Sequence, residues 1–160
     1  MKKELKSAYA AGIFDGEGYV DIYKATQSKA SKNPSFMLRV VISQKDGKVM
    51  NWLQKNFGGY VHRYRRNSNY IYRWDIRSQA AFNFLTQILP FSLIKKAQIQ
   101  LALDFEEKKG KYLETLKGFR GFRTLTQDEI YWRLKTKEHL KRLKKEYSPY
   151  IKNGAAATTK

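Results

Sequence analysis

The sequence has no cysteine, which rules out a disulfide framework and a thiolate metal centre and fits an intracellular protein. Histidine occurs only twice, as His62 and His139, too few and too far apart for a zinc site. No apolar run approaches the roughly 20 residues of a membrane span. The opening residues MKKELKSAYA place charges on both sides of Leu5 and lack the apolar centre of a signal peptide. A membrane partner is therefore not expected. P-loop and dinucleotide fingerprints are missing, and no segment repeats at domain scale. Acidic residues are scarce: 14 Asp and Glu stand against 32 Lys and Arg, a formal net charge of +18.

That excess is the first positive signal. A polycation on this scale favours a polyanionic partner through electrostatic steering and counterion release. The length of 160 residues and 42% hydrophobic content suffice for one folded domain with a real core. We place that domain at residues 1–151. Residues 152–160, with Gly154 and three alanines, read as a disordered tail or a cloning remnant.

Periodicity predicts the order α-β-β-α-β-β-α-α-α. A helix over 4–14 leads into a strand in which Val20 and Ile22 alternate with Asp21 and Tyr23. Residues 25–35, rich in Ser, Lys, Asn and Pro, read as an exposed hairpin loop. The next strand sets Leu38, Val40 and Ile42 on one face, with Ser35, Met37, Arg39, Val41 and Ser43 on the other. A helix over 44–57 is stopped by Gly58-Gly59. Strands at 60–66 and 70–77 flank Asn67-Ser68-Asn69, and helices follow at 80–89, before Pro90, and at 93–109. After a basic link, Thr126-Gln127-Asp128-Glu129 forms a capping-box pattern opening a last helix that ends near Glu146. The expected class is α+β: one four-stranded antiparallel sheet, helices on one face, and a polar, basic face left exposed.

The stretch Ala10-Ala11-Gly12-Ile13-Phe14-Asp15-Gly16-Glu17-Gly18 runs small and apolar residues into an acidic, glycine-rich end, with a strand directly after it. Glu17 is placed just past the helix end, where the dipole disfavours a carboxylate and a bound cation would offset that cost. Magnesium suits such a site, because it takes oxygen ligands and usually one or two carboxylates. Asp15 either joins the metal or hydrogen-bonds the backbone at the helix-to-strand turn, the second reading being preferred.

This segment resembles the signature of the LAGLIDADG homing endonucleases, with Ala10 in place of the first Leu and Glu17 in place of the second Asp. The resemblance runs over roughly residues 7–105. It implies the αββαββα fold with added C-terminal helices and a magnesium-dependent, site-specific DNA endonuclease that promotes intron mobility. It also implies that Glu17 and the Gly16 carbonyl hold the metal, a position Mn2+ or Ca2+ would also fill. One motif supplies half an active site, so a homodimer is implied, seamed along the small residues Ala8, Ala11 and Gly12. The alternative for this helix packs it on its own sheet through Leu5, Tyr9 and Ile13, and both hold together on different faces. Gln44 and Lys48 match residues that order solvent around the scissile phosphates. Lys95, or Lys96 if the register slips by one, matches the basic residue that follows a Pro-aromatic pair. An intron RNA maturase, or a DNA-binding protein of the same fold without cleavage, is the competing function.

Strands of about nine residues span roughly 30 Å. At about 3.4 Å per base pair, that is about nine base pairs per subunit and about 18 per dimer. A two-stranded ribbon fits the major groove of double-stranded DNA. The candidate readers are Asp21, Tyr23, Gln27, Arg39, His62, Tyr64, Arg66, Arg73, Asp75 and Arg77, with Val41 facing a thymine methyl. Lys24, Lys29, Lys32, Arg63 and Arg65 are expected on phosphates, giving affinity rather than specificity. A symmetric protein predicts a palindromic or pseudo-palindromic site.

Overall fold

The computed structural model describes residues 2–25, 34–114 and 124–146. Nine elements follow in chain order: α1 (Lys3–Glu17), β1 (Gly18–Ala25), β2 (Ser35–Gln44), α2 (Gly47–Phe57), β3 (Tyr60–Arg66), β4 (Asn69–Arg77), α3 (Ser78–Ile88), α4 (Lys96–Glu114) and α5 (Gln127–Glu146). The order and class agree with the sequence pattern, and the boundaries move. Helix α1 runs one turn further than expected, so Glu17 is its last residue rather than the first beyond it. Gln44 ends β2 instead of opening α2, which starts three residues later where the Asp46 carboxylate accepts from the Lys48 amide at 2.7 Å.

The four strands form one antiparallel sheet in the order β1-β2-β4-β3. Alternation decides its two faces. Val20, Ile22, Phe36, Leu38, Val40, Ile42, Trp74 and Ile76 point to one side and are buried with Ala10, Phe14, Met50, Leu53, Phe84, Leu85 and Ile88 of the helices. Burial of side chains of this size stabilises by about 1.5–3 kcal/mol each, which holds a short α1 that would be marginal alone. Trp74 is fully buried and donates its indole N–H to the Gly58 carbonyl at 2.7 Å. That pairing needs the Gly58-Gly59 turn. Gly59 has φ +85°, and a Cβ there would collide with Ile76 and the Asp75 carbonyl.

The β3–β4 hairpin closes on Asn67-Ser68, and Asn67 takes the left-handed conformation (φ 55°) that asparagine tolerates. The capping box at the start of α5 forms as expected. Thr126 Oγ1 accepts from the Glu129 amide at 3.2 Å, and the Glu129 carboxylate accepts from the Thr126 amide at 3.3 Å. Helix α5 then packs along α4 and β1, with Phe105 stacked on Trp132. Of the loop expected over 25–35, Ala25 and Ser35 belong to β1 and β2, and of the basic link expected over 108–123, residues 108–114 belong to α4; residues 26–33 and 115–123 and the expected tail over 152–160 lie outside the described residues.

Candidate active site

The site is built where α1 becomes β1. Phe14 is fully buried, and its ring and carbonyl lie so close to Gly18 that no Cβ fits there. The third glycine of the motif is thus required by contact with the preceding turn. Asp15 settles its two readings by its partners. Its carboxylate accepts from Ser92 Oγ at 2.6 Å and from the amides of Leu93, Ile94 and Lys95 at 2.7, 3.2 and 3.1 Å. Burial alone would raise its pKa, but these four hydrogen bonds to the charged form outweigh it and leave the carboxyl below its ordinary value. Asp15 therefore fastens the segment before α4 to the end of α1. Helix α4 starts at Lys96 rather than at Leu93.

That fastening brings Lys95 to the motif. Its ammonium donates to the Phe14 carbonyl at 2.9 Å and to the Gly18 carbonyl at 2.6 Å. Burial lowers the Lys95 pKa, against the opposing pull of Asp15 and Glu17. Lys96 is exposed, so Lys95 is the lysine that reaches the helix end. Gly16 and Glu17 are both exposed, and nothing lies within 4 Å of where a Gly16 side chain would be. The last carbonyls of a helix lack intrahelical partners, so the Gly16 oxygen suits a hard cation. Gly18 pairs with Ile42, which places Gln44, two residues further along β2, at the same end of the sheet. Lys48 is exposed in the first turn of α2. Among the described residues no group of three or more His, Cys, Asp or Glu could enclose a metal. Among the described residues, the exposed oxygen donors at this helix end are the Glu17 carboxylate and the Gly16 carbonyl.

The exposed stripe of α1 differs from the expected seam. Ala11 is fully buried against the chain's own core, so it is not available to a partner. Ala8 and Gly12 are exposed, as expected, and they are joined by Leu5 (58% exposed) and Tyr9 (50%), which were expected to pack inward. The reason is the helix phase: Ser7, Ala10, Ala11 and Phe14 form the buried side, leaving positions 5, 8, 9, 12 and 16 on the other. Tyr9 leans on Trp52 edge to face, with ring centroids 4.8 Å apart.

The outer face of the sheet collects the expected readers in register. Asp21 lies opposite Arg39, which lies opposite Arg77; Ser43 lies opposite Arg73, which lies opposite His62. Tyr23, opposite Met37, and Tyr64, opposite Ile71, share this face, as does Arg66 at the hairpin tip. Two expectations fail. Val41 is 1% exposed, covered between its neighbours Tyr19 and Asp75, and presents no surface to a base. Asp75 is 2% exposed and is bonded to Arg73 and Arg77. Arg39 is also held, 3.6 Å from Asp21 and over the Tyr23 ring. Gln27 lies outside the described residues.

Sequence reasoning missed two lysines of α5. Lys137 donates to the Ile22 carbonyl at 3.0 Å, and Lys144 sits over the Tyr19 ring at 5.3 Å. Burial depresses the Lys144 pKa, opposed by Asp21 and reinforced by Lys137 and Arg39. Nothing in a helix of many lysines singles these two out. Ser92 was missed for a similar reason, since its partner Asp15 is 77 residues away in sequence.

The LAGLIDADG endonuclease family profile matches residues 10–94, more than half of the chain. The chain belongs to that family. This LAGLIDADG protein also shares its fold with solved homing endonucleases. I-CvuI, crystallised with its DNA target in the presence of calcium, is 19% identical with a TM-score of 0.60, covering 89% of this chain and 96% of that one. I-TnaI is 19% identical with a TM-score of 0.57, covering 88% and 97%. I-SmaMI bound to an uncleaved DNA target with calcium ions is 21% identical with a TM-score of 0.58; 88% of this chain covers 48% of that one. No curated protein matches the sequence.

Proposed function

We propose that this LAGLIDADG protein is an intracellular, site-specific DNA endonuclease that acts as a homodimer on a long pseudo-palindromic duplex, requires a divalent metal and serves intron mobility. The observation that carries the reading is Glu17: one exposed carboxylate on a helix end fixed by Asp15 and Lys95, beside a basic sheet face. A second copy paired along Leu5, Ala8, Gly12 and Gly16 would bring a second Glu17 alongside, by an isologous contact. I-CvuI and I-SmaMI, crystallised with DNA and with calcium or magnesium, support the same ligand classes here.

The donor set fits a hard cation, being all oxygen: Glu17 and the Gly16 carbonyl would hold Mg2+, with Mn2+ or Ca2+ as substitutes. Bound there, the ion supplies Lewis-acid stabilisation of the phosphate and a more acidic water. The chain's own residues do the rest. Lys95 has two of its three N–H groups on backbone carbonyls, which fixes its positive charge beside Glu17. Lys48, exposed in the first turn of α2, adds a charge for a phosphate oxygen, and Gln44 a neutral donor and acceptor for solvent.

The test is cleavage of a supercoiled plasmid library in magnesium by the wild type and Glu17→Gln. Double-strand cutting at one site by the wild type alone is expected. If neither protein cuts, yet both bind one DNA site or intron RNA equally well, the catalytic reading fails and a binding protein or maturase takes its place.

A further inference from the structure

Resting on that reading, we propose that Asp75 is a positioning residue that pre-sets Arg73 and Arg77 for base recognition and does not read bases itself. Its Oδ2 lies 3.4 Å from Nη2 of Arg73 and 3.4 Å from Nη2 of Arg77. The three residues alternate along β4, so all point to the outer face of the sheet. Their exposures are graded: the Asp75 side chain is 3% exposed, against 33% and 50% for the arginines. The carboxylate is an anchor below the surface from which two guanidiniums rise.

The surroundings make the anchor necessary. Arg77 lies directly opposite Arg39, and like charges facing across strands are destabilising. Arg39 is drawn to Asp21 on the far side, and Asp75 draws Arg77 toward its own strand. Arg73 Nε is buried without a hydrogen-bond partner, so its terminal bond to Asp75 is what fixes the guanidinium direction. A free arginine loses much rotamer freedom on binding, and holding it beforehand lowers that cost. Because the carboxylate is buried, it balances charge without meeting the DNA phosphates. Asp75 also borders a groove of about 450 Å³ lined by Gly59, Tyr60, His62, Ile76, Arg77 and Ala80.

Sequence selection from a randomised duplex library, at two salt concentrations, tests the proposal with full-length wild type, Arg73→Ala, Arg77→Ala and Asp75→Asn. The two arginine variants mark the base pairs that each arginine reads. Asp75→Asn is expected to lose about tenfold discrimination at those base pairs and little elsewhere. Its binding to random duplex should rise, with a salt slope steeper by up to about one, since a negative charge has been removed. Unchanged discrimination, or equal loss at every base pair, overturns the proposal. A wild type that enriches no site overturns both this inference and the function it rests on, whereas intact wild-type selection with an unaltered Asp75→Asn profile overturns this inference alone. A measurement on the wild type covers a variant that does not fold. In the DNA-free protein, Arg73 and Arg77 guanidinium NMR signals should show slow rotation and those of the exposed Arg65 and Arg66 fast rotation; equal mobility overturns the clamp.

Discussion

Replacing Asp15 by Ala should loosen the junction between the end of α1 and the segment before α4 at once. The carboxylate gathers four hydrogen bonds, but they are not equivalent. The amides of Leu93 and Ile94 are exposed and turn to water when the acceptor is removed, at little cost. Ser92 is 2% exposed and the Lys95 amide is part-buried, so these two donors are stranded. A buried donor left without its charged acceptor costs about 1–3 kcal/mol, giving roughly 3 kcal/mol for the pair. For a chain of this length that lowers Tm by about 6–12 °C. The assay is thermal and urea unfolding in EDTA, which separates an anchor from a metal ligand. An anchor destabilises the metal-free protein when removed, and a ligand does not. The pH dependence has a definite sign. The folded Asp15 pKa lies below the ordinary 3.8, so its stabilisation is complete above that pH and is lost as pH falls through the folded value. The stability gap between wild type and Asp15→Asn should thus be flat above about pH 4 and shrink below it. An Asp15→Ala protein that melts with the wild type in EDTA refutes the reasoning.

Lys95→Met should keep DNA affinity and lose cleavage by about 100-fold or more, the scale for removing one fixed electrostatic contact to a transition state. Its fold should survive with a modest loss of stability, because the Phe14 and Gly18 carbonyls lose a donor while a part-buried charge is removed; single-turnover kinetics and a melting curve check both halves. Gly12→Leu should fold normally, since nothing lies within 4 Å of the new Cβ, yet sediment as a monomer and fail to cut both strands. A Gly12→Leu protein that sediments as a dimer would exclude the exposed α1 stripe as the seam.

The outward side of α1, the identity of the lysine that meets the motif and the depth of Asp75 show where sequence and tertiary structure divide. The sequence determined the elements and their order, because alternation and helical spacing are local records of burial. It also determined the basic sheet face, the capping box at Thr126 and the acidic motif at the end of α1. It left Ala11 on the seam because a helix with small residues on several sides does not state its own phase; packing of Phe14 and Ala10 into the core decided that. It left Lys95 and Lys96 open because the carbonyls that choose between them lie 81 and 77 residues upstream. It listed Asp75 among readers because strand alternation gives a residue's face but not its depth. That depth came from β4 being an inner strand, where Tyr60 and Val41 flank the carboxylate and two arginines close over it. Register, helix phase and long-range hydrogen bonds are set by segments far apart in the chain, and only folding brings them together.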